Sequence, residues 1–290
     1  MRVLSIFARH GAAKYAGAET DLSGIFRTQL PEVERDVVVV DTALRPGEVE
    51  ASAGRVVIGG DNSAREFSAF DAGLAYVGDR IWDYDLINLA TSAFRELYRD
   101  YLERFRPAVL ASLGSRSVCL GHIDCYNEPI QIEGCTSQHW LRTSCVFLPP
   151  TELRLLGTLV SAGPRERWFS GDVSAPFRSD APLSASYQRL IIDWVTGKDI
   201  GQGVTWHSRI SLDRDGLDEF EQKALCLLNE HLFGLRLRAA GCRTIDVTWL
   251  SGELARSRSA NVEWNTPWWR QLANRDRHAI RVSGPPVLAS

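Results

Sequence analysis

The stretch from Arg55 to Phe94 constrains this chain most. It opens with an apolar run, Val56-Val57-Ile58, that ends in Gly59-Gly60-Asp61-Asn62. Phe67, Phe70, Leu74 and Val77 then recur at spacings of three and four, the period of a helix with one buried face. A second apolar run, from Asp85 to Leu89, ends in the small polar residues Thr91-Ser92. Strand, helix, strand is the unit of an α/β fold. In open α/β sheets, ligands lie at the carboxyl ends of the strands, and glycine there lets backbone approach closely. The same pattern also fits an ordinary βαβ unit whose polar turn binds nothing.

The flanking sequence extends this reading. Arg2 to Ala8 is an apolar strand ending at Arg9-His10-Gly11. A helix is expected over Ala12 to Leu30, with Leu22, Ile25 and Phe26 on one face and Pro31 closing it. Asp36 to Asp41 reads DVVVVD, a β-branched run of the kind buried on both faces in parallel sheets. A helix is expected from Phe94 to Phe105, carrying Leu97, Tyr101, Leu102 and Phe105 inward. Strands are expected over Ser117 to Asp124 and Gln138 to Leu148, and a short helix from Leu153 to Val160. Residues 161–215 are the least readable; a helix from Ser184 to Val195 and an exposed loop around His207 stand out. Such loops are often lids, but a lone loop histidine is usually only solvated. A long helical pattern runs from Leu217 to Ala240, stops at Gly241, and leads into a strand from Thr244 to Val247.

Composition excludes several classes. A net charge of −3 leaves no electrostatic footprint for nucleic acid. No apolar run approaches the length of a membrane-spanning helix, and the polar start of the chain does not read as a signal peptide. Six cysteines without a C-x-x-C pair read as free thiols of a cytoplasmic protein rather than a metal cluster or disulfide framework.

The central stretch resembles the nucleotide-binding part of GT-A glycosyltransferases. Inverting members carry N-x-G-x-x-x-A-R-N-x-G-L between their third and fourth strands. Asp61-Asn62 stands near the first part of that motif and Phe70-Asp71-Ala72-Gly73-Leu74 at the second. Rhamnan-synthesis-type polysaccharide glycosyltransferases are similar too, with an aromatic helix of the type Y-D-F-G-A-W followed by D-L-V-L-L-N-D-S. Glu66-Phe67-Ser68-Ala69-Phe70 and Asp85 to Phe94 follow that layout. Gln138 to Leu148 is similar to the family's H-L-Q-S-F-F-L-V-F strand on the acceptor side. Asn229-Glu230, continued by Arg236-Leu237-Arg238-Ala239-Ala240-Gly241, resembles the segment E-D-x-D-L-x-x-R-L-R-x-A-G-Y-R-I. The likeness spans about residues 2–250.

The resemblance implies an α/β, GT-A-like, mostly parallel open sheet flanked by helices. Residues 1–150 would form the nucleotide-sugar-binding core, 151–252 an acceptor-side region of the same domain, and 253–290 an Arg/Trp-rich tail. It implies donor-site roles for Arg9, His10, Asp41, Asp61, Asn62, Asp71 and Thr91; each also reads as a solvated strand-end or cap residue. Trp140, Arg142 and Arg209 become candidates for acceptor or diphosphate contact, with a core position the alternative for Trp140. Glu230 takes the place of the general base; otherwise it is one more acid on an amphipathic helix. The family usually ends its fourth strand in an Asp that holds a divalent metal. Here Ala90-Thr91-Ser92 stands there, so no metal ligand is assigned and metal is not expected to be essential.

The implied reaction moves a sugar from a nucleotide-sugar donor to a glycan or lipid-linked acceptor in bacterial surface polysaccharide synthesis. The missing metal Asp favours a rival: a non-catalytic module that binds nucleotide or glycan within a synthase complex. A Rossmann enzyme is disfavoured, because no G-x-G-x-x-G follows the first strand. The tail carries Arg256, Arg258, Arg270, Arg275 and Arg277 with Trp264, Trp268 and Trp269, the composition of a segment that lies on an anionic membrane. Peripheral contact with the inner membrane face is one reading, and packing of these tryptophans on the domain is the other.

Overall fold

The computed structural model describes residues 1–11, 13, 15–95, 100–198, 209–256 and 262–273. Among them, eight strands form one mixed, mostly parallel sheet: β1 (Arg2–Arg9), β2 (Glu34–Asp41), β3 (Val49–Ser52), β4 (Arg55–Gly59), β5 (Leu86–Thr91), β6 (Val118–Ile132), β7 (Cys135–Leu148) and β8 (Arg243–Asp246). Their spatial order is β3-β4-β2-β1-β5-β7-β6-β8. Strands β4, β2, β1 and β5 run parallel. Strand β7 is antiparallel to both β5 and β6, and β8 is parallel to β6. The short exposed β3 pairs antiparallel at the other edge.

Alternation along the buried strands distributes the core to both faces. Leu4, Ile6 and Ala8 of β1 pack with α2 (Glu66–Val77) and the far half of α6 (Leu217–Ala239). Val3 and Phe7 pack on the opposite face with α1 (Ala18–Gln29), α3 (Pro107–Leu113) and α7 (Val247–Arg256). The connections through α1 and α2 therefore cover opposite faces, and the central β1 has a parallel neighbour on each side.

The β6–β7 hairpin outruns the sheet. Strand β7 meets β5 only from Cys145 to Leu148, so its earlier residues project past the carboxyl edge. A third core forms on that projection. Tyr126 and Trp140 pack there against Tyr187, Ile191 and Trp194 of α5 (Ala185–Thr196) and Phe220, Leu228 and Leu232 of α6.

Several expectations change. The helix expected from Ala12 begins at Ala18, after a turn ending in Gly17 at φ 92°. In place of a helix over Phe94 to Phe105, the described residues form tight 3₁₀ turns, Ser92–Arg95 and Asp100–Arg104. Tyr101, Leu102 and Phe105 are buried all the same, and the Tyr101 ring lies 4.8 Å from His122, tilted by 39°, with its hydroxyl hydrogen-bonded to Ser144 Oγ. The helix expected at Leu153 is α4 (Pro150–Leu156), which starts at its prolines as the fixed φ of proline favours and ends before Gly157.

At the far edge, α8 (Trp268–Gln271) docks on β8. The buried Gln271 side chain accepts from Asp246 N at 2.7 Å and donates to Thr244 O at 3.4 Å. Its amide occupies the open edge as a neighbouring strand would. Val262 and Leu272 enter the main cores, and Trp264 and Trp268 pack against them, so this part of the tail belongs to the domain. Arg258, Arg275 and Arg277, like Leu97 and His207, lie outside the described residues. Among the described residues no helix is long and apolar enough to cross a membrane.

Gly73 is the contact point of α2 with the sheet. A Cβ there would stand 2.5 Å from Ile6 Cγ2 and 3.2 Å from Val40 Cγ2. Both neighbours are stiff β-branched residues. Gly73→Ala should therefore destabilise the domain by about 1–3 kcal/mol through overpacking, read as a lower urea midpoint at unchanged m-value. An unchanged midpoint would mean that α2 can shift freely.

Candidate functional site

A cavity of about 420 Å³ opens at the carboxyl edge of the parallel strands. Arg9 and His10 reach it from the end of β1, Thr42 from the end of β2, Asn62 from beyond β4, and Thr91 and Ser92 from the end of β5. Arg65 and Glu66 bring the first turn of α2, with its positive dipole end, to the same place. Glu219, Gln222 and Lys223 face it from α6, and Tyr15 from before α1.

The strand-end charges are already partly committed. Arg9 donates to Asp41 Oδ2 and to Glu19 Oε2, both at 2.9 Å. Arg55 holds the same Glu19 carboxylate. Asp41 Oδ1 accepts from Gly11 N at 2.8 Å and Ala43 N at 2.9 Å. Burial opposes its charge, but the N–H groups of Ala43 and Gly11 and the Arg9 guanidinium outweigh it and hold the Asp41 carboxyl low. The expected donor-site Asp41 is thus a buried brace that shapes the turns after β1 and β2, and it does not line the cavity. Arg9 lines it as a cation already met by two carboxylates.

The remaining candidates separate. His10 is exposed and its Nδ1 lies 2.8 Å from Thr42 Oγ1. Asp61 accepts from the Ser63 hydroxyl and N–H, which keep its carboxyl low; its neighbour Asn62 lines the cavity. Asp71 is placed elsewhere. It accepts from Thr158 Oγ1 at 2.5 Å and Leu159 N at 2.7 Å, tying α2 to the segment after α4. The helical period explains this, because Asp71 is on another side of α2 from its N-terminus. Trp140 is buried, packed 4.6 Å from Tyr126. The core reading therefore holds for it, and it does not reach an acceptor surface. Arg142 is buried against Asp124 on the projecting hairpin. Arg209 is exposed beside Gly197 at the end of α5, away from the cavity lining.

Glu230 belongs to the same edge without lining the cavity. Its Oε1 accepts from Thr143 N at 2.9 Å and Thr143 Oγ1 at 3.2 Å. Cys145 pairs with Ala90, so Thr143 stands beside the end of β5. Glu230 follows Lys223 by two helical turns on one face of α6, with Cys226 between them bonded to Glu66 Oε2 at 3.2 Å. The residue is half-buried, and protein atoms crowd its carboxyl. Burial raises its pKa; the Thr143 N–H and Arg142 act in the opposite direction and do not cancel it. Both of these bonds fall on Oε1.

Sequence reading missed Arg65, Glu66, Lys223 and Tyr15 at the cavity. Arg65 carries the strongest structural signal: it takes φ 52°, ψ −129°, a region that costs a non-glycine residue about 1–3 kcal/mol. Its Nε is buried and, among the described residues, meets no hydrogen-bond partner. Lys223 was accessible through period alone, seven residues before Glu230 on the same helix face. Among the described residues, no group of three or more His, Cys, Asp or Glu side chains is placed to hold a metal ion.

The raised Glu230 value makes a stability statement. An acid whose folded value lies above its unfolded one loses stability as pH rises from the ordinary glutamate range through the raised value. Glu230→Gln keeps an acceptor for Thr143 and removes that cost. The variant should melt roughly 2 °C higher than the parent at about pH 8 and no higher at about pH 4. An equal difference at both pH values would show that Glu230 is not strained by ionisation.

Comparison with known proteins adds no family to this geometry: a scan against protein-family models and a search of curated proteins both find no match.

Proposed function

We propose that the edge cavity holds the diphosphate of a nucleotide sugar, and that the protein is a GT-A-like inverting glycosyltransferase acting on a glycan or lipid-linked acceptor in surface polysaccharide assembly. The observation that carries this reading is Arg65. A strained arginine, at the positive end of α2 and inside the cavity at the carboxyl edge of a parallel sheet, is a built feature for an anion.

The reaction is a single displacement. The acceptor oxygen attacks the anomeric carbon and gives its proton to Glu230. The bond to the diphosphate breaks, and its electron pair stays on the leaving oxygen. Arg65, Lys223 and the N-terminus of α2 stabilise that charge. Glu230 is suited to the proton by its raised pKa and by an orientation fixed through one oxygen only. The donor occupies the cavity, and the acceptor enters between it and Thr143, beneath the projecting hairpin. Thr91 lines the cavity where the resembling family carries its metal Asp, and a neutral hydroxyl is a poor ligand for a hard cation.

Two measurements test the reading. Titration calorimetry with nucleoside diphosphates and sugar nucleotides should give binding that EDTA changes little. Arg65→Gly should weaken that binding at least tenfold, as expected for loss of a charge-assisted contact, while raising the melting temperature by relief of strain. Unchanged affinity in Arg65→Gly would remove the diphosphate site. A large loss in EDTA would mean a metal carries the charge instead.

Glu230→Gln should lower kcat by a factor on the order of 10² to 10⁴ with donor affinity retained. A second reading, a binding module without catalysis, is favoured by Glu230 lying outside the cavity lining and by Thr91. Sugar-nucleotide binding with no transfer to any glycan or lipid-linked acceptor, and no turnover difference between parent and Glu230→Gln, would decide for it.

A further inference from the structure

A second cavity, of about 370 Å³, lies between the end of α6, strand β8 and α8, and shares no lining residue with the first. Its volume is in the range of small-molecule sites. Two features distinguish its walls. Trp264 and Trp268 both line it, and each is held in place. Trp268 stacks on His139 at 5.0 Å with 19° between the planes, and the Arg116 guanidinium lies 4.7 Å from the Trp264 ring.

The second feature is charge without a counter-charge. Arg238 and Arg243 line the cavity, and among the described residues no carboxylate pairs with either. Arg9, Arg55, Arg142 and Arg165 are each matched to an acid. Arg238 instead donates to neutral groups, His139 Nε2 at 3.2 Å and Ser137 Oγ at 3.0 Å. It is half-buried, and burial lowers its pKa, as it does that of His139, which stays neutral. Holding a guanidinium in such a place costs free energy unless an anion completes it. Arg243 lines the same cavity and is exposed, and its planar fork suits a carboxylate.

We propose that this cavity is a second ligand site that takes a ring bearing a carboxylate. The carboxylate pairs with the Arg238 and Arg243 guanidiniums, and the ring lies on the indole faces. Two sources share this chemistry, a uronate sugar and an aromatic acid. The site does not rest on the reading of the edge cavity, and its ligand contacts none of that cavity's residues.

Titration calorimetry on the full chain distinguishes the sources. The probes are a uronate oligosaccharide and glucuronate in one arm, benzoate and indole-3-acetate in the other, with neutral glucose and inorganic phosphate as controls. One carboxylated arm should bind while both controls fail. Arg243→Gln, at an exposed side chain, should weaken that binding roughly tenfold, and Arg238→Gln by more. Lys223→Ala, in the edge cavity, should leave it unchanged. The proposal is overturned if neither arm binds, if both arginine variants bind like the parent, or if phosphate binds as well as the carboxylated rings. Loss of binding in Lys223→Ala would move the site to the edge cavity and equally end the proposal.

Discussion

The parallel pairing of β1 with β2 on one side and β5 on the other is the contact on which the rest of the structure depends. Neighbours on both sides require helical connections over both faces, and the connections separate at the carboxyl end of β1. The crevice that results has polar strand ends for a floor. Everything assigned to the edge cavity is positioned relative to that point: Arg9 and His10 directly, Thr91 through β5, and Arg65 through the start of α2.

Polar groups at this edge divide into those that build it and those that face inward. Asp41 and Glu19 neutralise Arg9 and Arg55 and fasten the turns after β1 and β2. A buried carboxylate with this many donors is a structural clamp, and its low pKa keeps it so at neutral pH. Among the described residues Arg65 meets no such partner at Nε, and Glu230 holds Thr143 through a single oxygen. Among the described residues, Arg65 and Glu133 are the non-glycine residues at positive φ, and Arg65 is the one at this edge.

The projecting hairpin gives the chain its second layer of organisation. It carries β7 past the sheet, offers Thr143 to Glu230, and seats α5 and α6 through a core of Trp140, Tyr126 and Tyr187. The two ends of α6 thereby serve different cavities. Its beginning supplies Glu219 and Lys223 to the edge cavity, and its end supplies Arg238 to the pocket by β8.

Periodicity by itself determined the α/β class, the buried parallel strands β1, β2, β4 and β5, the helix α2 and the long helix α6, because runs of apolar residues at two periods leave few other solutions. It also marked Thr91 at the end of β5, and His10 and Asn62 just beyond the ends of β1 and β4, and all three line the cavity. It was silent where structure comes from contacts distant in sequence. The edge strand β3 is exposed and has no apolar signal, and the length of β6 and β7 beyond the sheet depends on α5 and α6 closing over them. Only the tertiary structure sent Asp41 and Asp71 into bracing roles and Trp140 into a core, since the partners that claim them, Arg9, Leu159 and Tyr126, are selected by chain packing. The same is true of Arg65: its positive φ and its buried Nε, which meets no hydrogen-bond partner among the described residues, are set by how the start of α2 is packed in the fold.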